Sequence, residues 1–222
     1  MEYNIGIIDD DTSKITQLIT FVSLGWEDDD GNLTKEKYKD IKLNPIEISL
    51  EPDIESMVEK VYSLKLDALI IDFKLSSQQS IAYSGVVLAQ AIDKKLRGFP
   101  IFILTSYQDD LYVKESFDVY QVFDFARYIG ELEERIEINS KIVEQIRKYN
   151  NTINKWKCEL NDLIPYAGSS ADIDERILEL DSLIENSIDG MSSIPSKTKR
   201  DLSNANHLQL LIDKIDKLIG EE

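Results

Sequence analysis

The sequence predicts an α/β fold, a doubly wound five-stranded parallel sheet, followed by an all-α region. Three observations predict it. Short apolar runs alternate with amphipathic stretches over the first 130 residues, and strands apolar on both faces that alternate with helices indicate a parallel sheet covered on both sides. From about Ile129 only helical periodicity remains. Between these regimes the pattern changes once, which gives two domains, residues 1–130 and 131–222.

The strands are read in order as "YNIGII" (3–8), "IEISL" (46–50), "DALIID" (67–72), "PIFILTS" (100–106) and "YQVFDF" (120–125). The helices between them are 12–24, 54–65, 85–96 and 109–117. Two stretches exceed a minimal α/β unit: the polar insertion "WEDDDGNLTKEKYKDIKLNP" (26–45) and the loop "KLSSQQSIAYSG" (74–85). Loops of that length are usually functional or disordered.

In the helical region Ile129, Leu132, Ile136, Val143 and Ile146 fall at a/d-like spacing, with Asn139 in one slot. Tyr149, Ile153, Trp156, Leu160 and Leu163 resume the stripe after a three-residue step, a stammer that predicts overwinding or a break near Ile146. "PYAGSS" stops this helix. A second begins near Asp172, with Asp172 and Glu175 as a cap pair and Ile173, Ile177, Leu180, Ile184 and Ile188 on one face. A third, from about Ser196, aligns Leu202, Ala205, Leu208, Ile212, Ile215 and Ile219. Such narrow stripes suit a helical bundle, a coiled coil within one chain, or a homodimer. Trp26 and Trp156 read as packing anchors or partner contacts.

The composition narrows the chemistry. Cys158 is the single cysteine and His207 the single histidine, so an intrachain disulfide and a Cys/His zinc cluster are excluded. The formal charge is −17; residues 1–130 carry 13 basic and 23 acidic side chains, and 131–222 carry 12 and 19. Neither part has the clustered cations that nucleic acid requires, and "PSKTKRD" near residue 198 reads as solvated surface. With no apolar stretch able to span a bilayer and no leader, the expectation is a cytoplasmic protein that engages neither membrane nor nucleic acid.

Sites in open α/β sheets form outside the carboxyl ends of the strands. Here strand one ends in Asp9, Asp10 and Asp11, strand three in Asp72, and strand four in Thr105 and Ser106. Converging carboxylates repel one another, so such a site either raises a pKa or holds a cation. With no softer ligand nearby, Mg2+ held by carboxylates, a carbonyl and waters is the natural occupant. A carboxylate beside Mg2+ and opposite a hydroxyl is equipped to attack a phosphoryl group in line. Asp11 is expected only to cap the following helix.

"IIDD", "ALIIDFKL", the "SG" at 84–85 and "PIFILTS" resemble the successive signatures of response-regulator receiver domains, over residues 3 to about 130. The resemblance implies a receiver or flavodoxin-like sheet of order 2-1-3-4-5. It also implies that Asp9 and Asp10 bind Mg2+ together with Asp72, that Asp72 accepts phosphate from a histidine kinase, and that the Thr105 hydroxyl hydrogen-bonds the phosphoryl oxygen. The resemblance further implies that Lys74 offers its backbone carbonyl to the metal. The family carries a lysine at the end of strand five; "YQVFDFARY" has none, and Arg127 is the expected replacement, though guanidinium and ammonium differ in shape and hydration. The aromatic switch position falls near Asp124 or Phe125.

The functional expectation is a phosphoacceptor with at most autophosphatase activity, not a turnover enzyme. Its partners are a histidine kinase or related ATPase and a downstream protein bound through the helical region. Two alternatives stand beside it. One is a pseudo-receiver scaffold that works through contacts alone. The other is a haloacid-dehalogenase-like phosphatase, which "DDDTS" and "ILTS" loosely match but which needs a later acidic pair that the sequence does not offer. His207 reads as a surface histidine rather than a phosphotransfer group.

Overall fold

The computed structural model describes residues 1–28, 30–75, 81–105 and 121–189. The expected helix 109–117, the third helix from Ser196, His207 and the basic patch near 198 lie outside the described residues. Five strands, β1 (Glu2–Ile8), β2 (Lys42–Glu47), β3 (Ala68–Asp72), β4 (Ile101–Thr105) and β5 (Gln121–Asp124), form one sheet of order β2-β1-β3-β4-β5. Every pairing is parallel. The reversal of strand order lies between β1 and β3, where a ligand crevice is expected.

β3 and β4 are buried at every residue, the outcome predicted for strands covered on both faces. Alternation sends Ile5, Ile7, Ile70, Phe102 and Leu104 into one core and Ile8, Leu69, Ile71, Ile101 and Ile103 into the other. Helix α1 (Thr12–Leu24) covers the first face with Ile15, Leu18 and Val22, at helical spacing. Helices α2 (Ile54–Ser63) and α3 (Gly85–Lys95) cover the second with Met57, Val58, Val61, Leu88, Ala89 and Ile92.

The second strand starts four residues earlier than expected, within the 26–45 insertion. Pro45 deflects the reading toward "IEISL", yet β2 is an edge strand, where a proline without an N–H is tolerated. Pairing still continues past the strand, since the Ile48 N–H donates to Ile7 O (2.9 Å).

A short helix α4 (Phe125–Gly130) leads into α5 (Leu132–Leu163), which is continuous and unbroken at Ile146. The chain separates into compact units Met1–Asn151 and Thr152–Glu222. The pattern change at 130 therefore marks a change of secondary structure, while the first turns of α5 belong to the α/β unit. Arg135, Ile136, Ile138, Asn139, Ser140, Ile142, Val143 and Ile146 are buried there, a broader face than an a/d seam. The insertion packs on this face. Trp26 stacks on Tyr38 with ring centroids 4.4 Å apart, its Nε1 donates to Ser140 Oγ (3.1 Å), and Tyr38 OH donates to Glu144 Oε1 (3.1 Å). Beneath it Tyr128 OH donates to Asn139 Oδ1 (2.9 Å), whose Nδ2 donates to Gly25 O (2.7 Å).

In the second unit, α6 (Ala171–Asp189) is tied to the end of α5 by a two-pronged pair: Arg176 Nε and Nη2 donate to Glu159 Oε1 and Oε2 (2.7 and 2.9 Å). Ser170, rather than the Asp172/Glu175 pair, caps α6, its Oγ accepting from the Ile173 N–H (3.3 Å). Leu180 and Ile153 are buried, while Trp156, Leu160 and Leu163 are half-buried. Cys158 is free and exposed.

Candidate metal centre

β1 and β3 are adjacent, so their last residues surface side by side at the carboxyl edge. Asp9, Asp10 and Asp72 meet there, each offering a carboxylate oxygen within 4.8 Å of the others, and each residue is at most 4% exposed. At an effective dielectric near 20, a pair of like charges at such distances repels by about 3–4 kcal/mol. That exceeds the roughly 1 kcal/mol net worth of a hydrogen bond, so the cluster is unfavourable unless a proton or a cation joins it.

The third aspartate of the run does something different. Asp11 caps α1, its Oδ1 accepting from the Ser13 N–H (2.8 Å) and Ser13 Oγ (2.7 Å), as expected. The Asp11 N–H in turn donates to Asp9 Oδ1 (2.9 Å), which fixes that carboxyl. Asp9 Oδ2 is buried without a hydrogen-bond partner. Burial, reinforced by the neighbouring Asp72 charge, pushes the Asp9 carboxyl up to about 7. Asp72 is also raised, chiefly by burial, with the Lys14 ammonium and the Lys74 N–H pulling the other way.

The carboxyl end of β3 is shaped by its neighbours. Asp72 Oδ2 accepts from the Lys74 N–H (2.8 Å), and Asp72 Oδ1 from Lys14 Nζ (3.2 Å). The "SG" at 84–85 has a separate physical origin at each residue. Ser84 caps α3, and Gly85 lies so close to β3 that a Cβ there would sit 1.9 Å from Asp72 O. Only glycine lets α3 start against the end of β3.

Thr105 is buried at the end of β4, one residue beyond Leu104, the register partner of Asp72. Arg127 is not brought to the acids: its guanidinium is half-exposed and donates to Glu131 and Glu134 (3.2 and 2.9 Å). Of the two residues expected near the aromatic switch position, Asp124 caps α4, accepting from the Arg127 N–H (2.9 Å). The other, Phe125, has the Lys14 ammonium 5.8 Å from its ring centroid.

Lys14 is the residue that sequence reasoning missed. It stands in the first turn of α1, against the helix dipole, where a cation is disfavoured. That mismatch is the one signal the sequence held. Helical side chains lean toward the N-terminus of their helix, so a long one at this position reaches back over the carboxyl edge of β1. Its Nζ lies 3.2 Å from Asp72 Oδ1 and 4.0 Å from Asp9 Oδ2.

The residues fit a hard divalent cation. Three carboxylates and one ammonium leave two negative charges in excess, the donors are all oxygen, and Asp9 Oδ2 is an orphaned buried acceptor. The α/β unit has the doubly wound, all-parallel order β2-β1-β3-β4-β5 that receiver and flavodoxin-like sheets share. Neither a protein-family model nor a curated protein matches the sequence. Solved structures similar to the chain include a two-component transcriptional regulator AraC from Clostridium phytofermentans, 12% identical with a TM-score of 0.44, covering 66% of this chain and 96% of that one. The receiver domain of Francisella response regulator 1452 is 16% identical with a TM-score of 0.36, covering 64% and 98%. The Mn2+-bound response regulator Rcp1 is 15% identical with a TM-score of 0.38, covering 63% and 91%. No described helix is long and apolar enough to cross a membrane.

Proposed function

We propose that the protein is a signalling phosphoacceptor, whose Asp72 takes a phosphoryl group from the phosphohistidine of a kinase in a Mg2+-dependent step. The observation that carries this reading is the buried Asp9, Asp10 and Asp72 cluster at the switch point of the sheet. Asp9 and Asp10, with Asp72 and the Lys74 carbonyl, would hold the cation. Bound there, Mg2+ supplies positive charge to the phosphoryl oxygens during transfer.

The chain's own groups do the rest. The Lys74 N–H orients Asp72 through Oδ2. An Asp72 oxygen forms the new P–O bond as the P–N bond of phosphohistidine breaks, and the imidazole nitrogen leaves with the electron pair and is reprotonated from solvent. Thr105, buried at the neighbouring strand end, is the proposed hydroxyl donor to the transferred group. Phosphorylation at Asp72 is read out through contacts of the helical region with a protein target or a second copy of the chain, without nucleic acid or membrane.

The test is incubation with acetyl phosphate and Mg2+, followed by mass spectrometry. One phosphoryl group on Asp72, absent from Asp72→Asn and dependent on Mg2+, is the expected result. Sustained phosphate release would instead make the protein a phosphatase, and no labelling would leave a scaffold.

A further inference from the structure

We infer that Lys14 is the tethered counter-ion of this site: its ammonium holds Asp9 and Asp72 together in the metal-free protein and pairs with the phosphoryl oxygens on Asp72 after transfer. This rests on the phosphoacceptor reading. Three contacts locate the ammonium at the mouth: Asp72 Oδ1 at 3.2 Å, Asp9 Oδ2 at 4.0 Å and the Phe125 ring at 5.8 Å. Phe125 follows β5 directly, so the charge lies between the acids of β1 and β3 on one side and the end of β5 on the other.

The sequence of β5, Gln121-Val122-Phe123-Asp124, holds no cation, and Arg127 is committed to Glu131 and Glu134. Asp72 needs a positive partner in both of its states. As a free carboxylate it is buried beside two others; as an acyl phosphate it carries still more charge. Lys14 is suited to both because its side chain is one-third exposed on a flexible stem, so the ammonium can follow the charge outward by a few ångströms. Its place in the first turn of α1, which the helix dipole opposes, is compensated by the two carboxylates it faces.

The device has two consequences of opposite sign. Lys14 competes with a divalent cation for Asp9 and Asp72, and it supports an anion on Asp72. Lys14→Gln should therefore bind Mg2+ more tightly, by about tenfold, and bind beryllofluoride at saturating Mg2+ more weakly, by about tenfold or more. Calorimetry for Mg2+ and fluorine NMR for beryllofluoride measure the two effects separately. A variant that merely misfolds loses both affinities, which would contradict the inference. Lys14→Arg keeps the charge and should return Mg2+ affinity toward the wild-type value, whereas Arg127→Gln should change neither binding. If wild type binds beryllofluoride and Lys14→Gln binds it equally well, or if Arg127→Gln is the variant that weakens it, the inference is overturned while the phosphoacceptor reading stands. If wild type itself binds neither Mg2+ nor beryllofluoride, both fall.

Discussion

Two regions of the α/β unit treat polar groups in opposite ways. At the carboxyl edge, Asp9, Asp10 and Asp72 are crowded together and buried, one of the Asp9 oxygens lacks a hydrogen-bond partner, and the Lys14 ammonium pairs with Asp9 and Asp72. Where the 26–45 insertion meets the first turns of α5, the polar atoms of Trp26, Tyr38, Tyr128 and Asn139 each find a partner around stacked rings. The second region is built like a core and supplies stability. The first gives up stability to an electrostatic deficit of the kind a divalent cation would offset. A crowded, buried acid cluster beside a seam where Trp26, Tyr38, Tyr128 and Asn139 are all hydrogen-bonded marks the place where a ligand is expected.

The comparison breaks most visibly at Trp26. Trp26→Ala removes a ring 2% exposed together with its bond to Ser140, and should cost about 3–5 kcal/mol in urea denaturation, while the folded fraction keeps its Mg2+ affinity. A loss of metal affinity at undiminished stability would reverse the roles assigned to the two regions.

The acid cluster should show itself in the pH dependence of stability. Asp9 titrates near 7 in the folded chain against 3.8 in a model peptide, so between these values the folded state keeps a proton that the unfolded state has lost. Unfolding free energy of the metal-free protein should then fall as pH rises from about 4 to about 7, by roughly 2–4 kcal/mol. Asp9→Asn should flatten that slope, and Mg2+ at tenfold its Kd should restore about 1.4 kcal/mol above pH 7. Stability that rises through this interval in wild type, with Asp9→Asn unchanged, would show that Asp9 is not the strained group.

A smaller effect sharpens the boundary of the site. Gly85→Ala brings a methyl onto Asp72 O, so either β3 or α3 must shift, at about 1–3 kcal/mol. Acetyl phosphate labelling of Asp72 should slow in the variant even at temperatures where it is fully folded. Smallest of all, Arg127→Gln removes only an exposed pair with Glu131 and Glu134. Its stability should stay within about 0.5 kcal/mol of wild type by thermal denaturation.

Much of this was legible because the sheet is buried on both faces. Continuous apolar runs in β1, β3 and β4 announce parallel strands, and the acids that end β1 and β3 announce the carboxylate cluster at their carboxyl ends. β2 was read a few residues late because Pro45 argues against a strand everywhere except at an edge. The stripe from Ile129 did not reveal the broad buried face of the first turns of α5, because a helix lying on a sheet and a helix in a coiled coil repeat at 3.6 and 3.5 residues, which a short stripe does not separate. Asn139 looked like a polar interruption of a seam and is instead the centre of a buried network with Tyr128 and Gly25. The cation of the site was sought after strand five, by sequence distance from Thr105. Lys14 reaches the acids because of the direction in which helical side chains lean, a three-dimensional property that no spacing along the chain expresses.

The most direct test of the central claim is a titration of isotope-labelled protein with Mn2+, followed by paramagnetic broadening of its amide signals. Broadening that begins at residues 9–11 and 72–74, is reversed by Mg2+ and is lost in the Asp9→Asn/Asp10→Asn double variant is the predicted result. Broadening spread over the acidic surface, unchanged in that variant, would contradict the claim that these three carboxylates form one cation site.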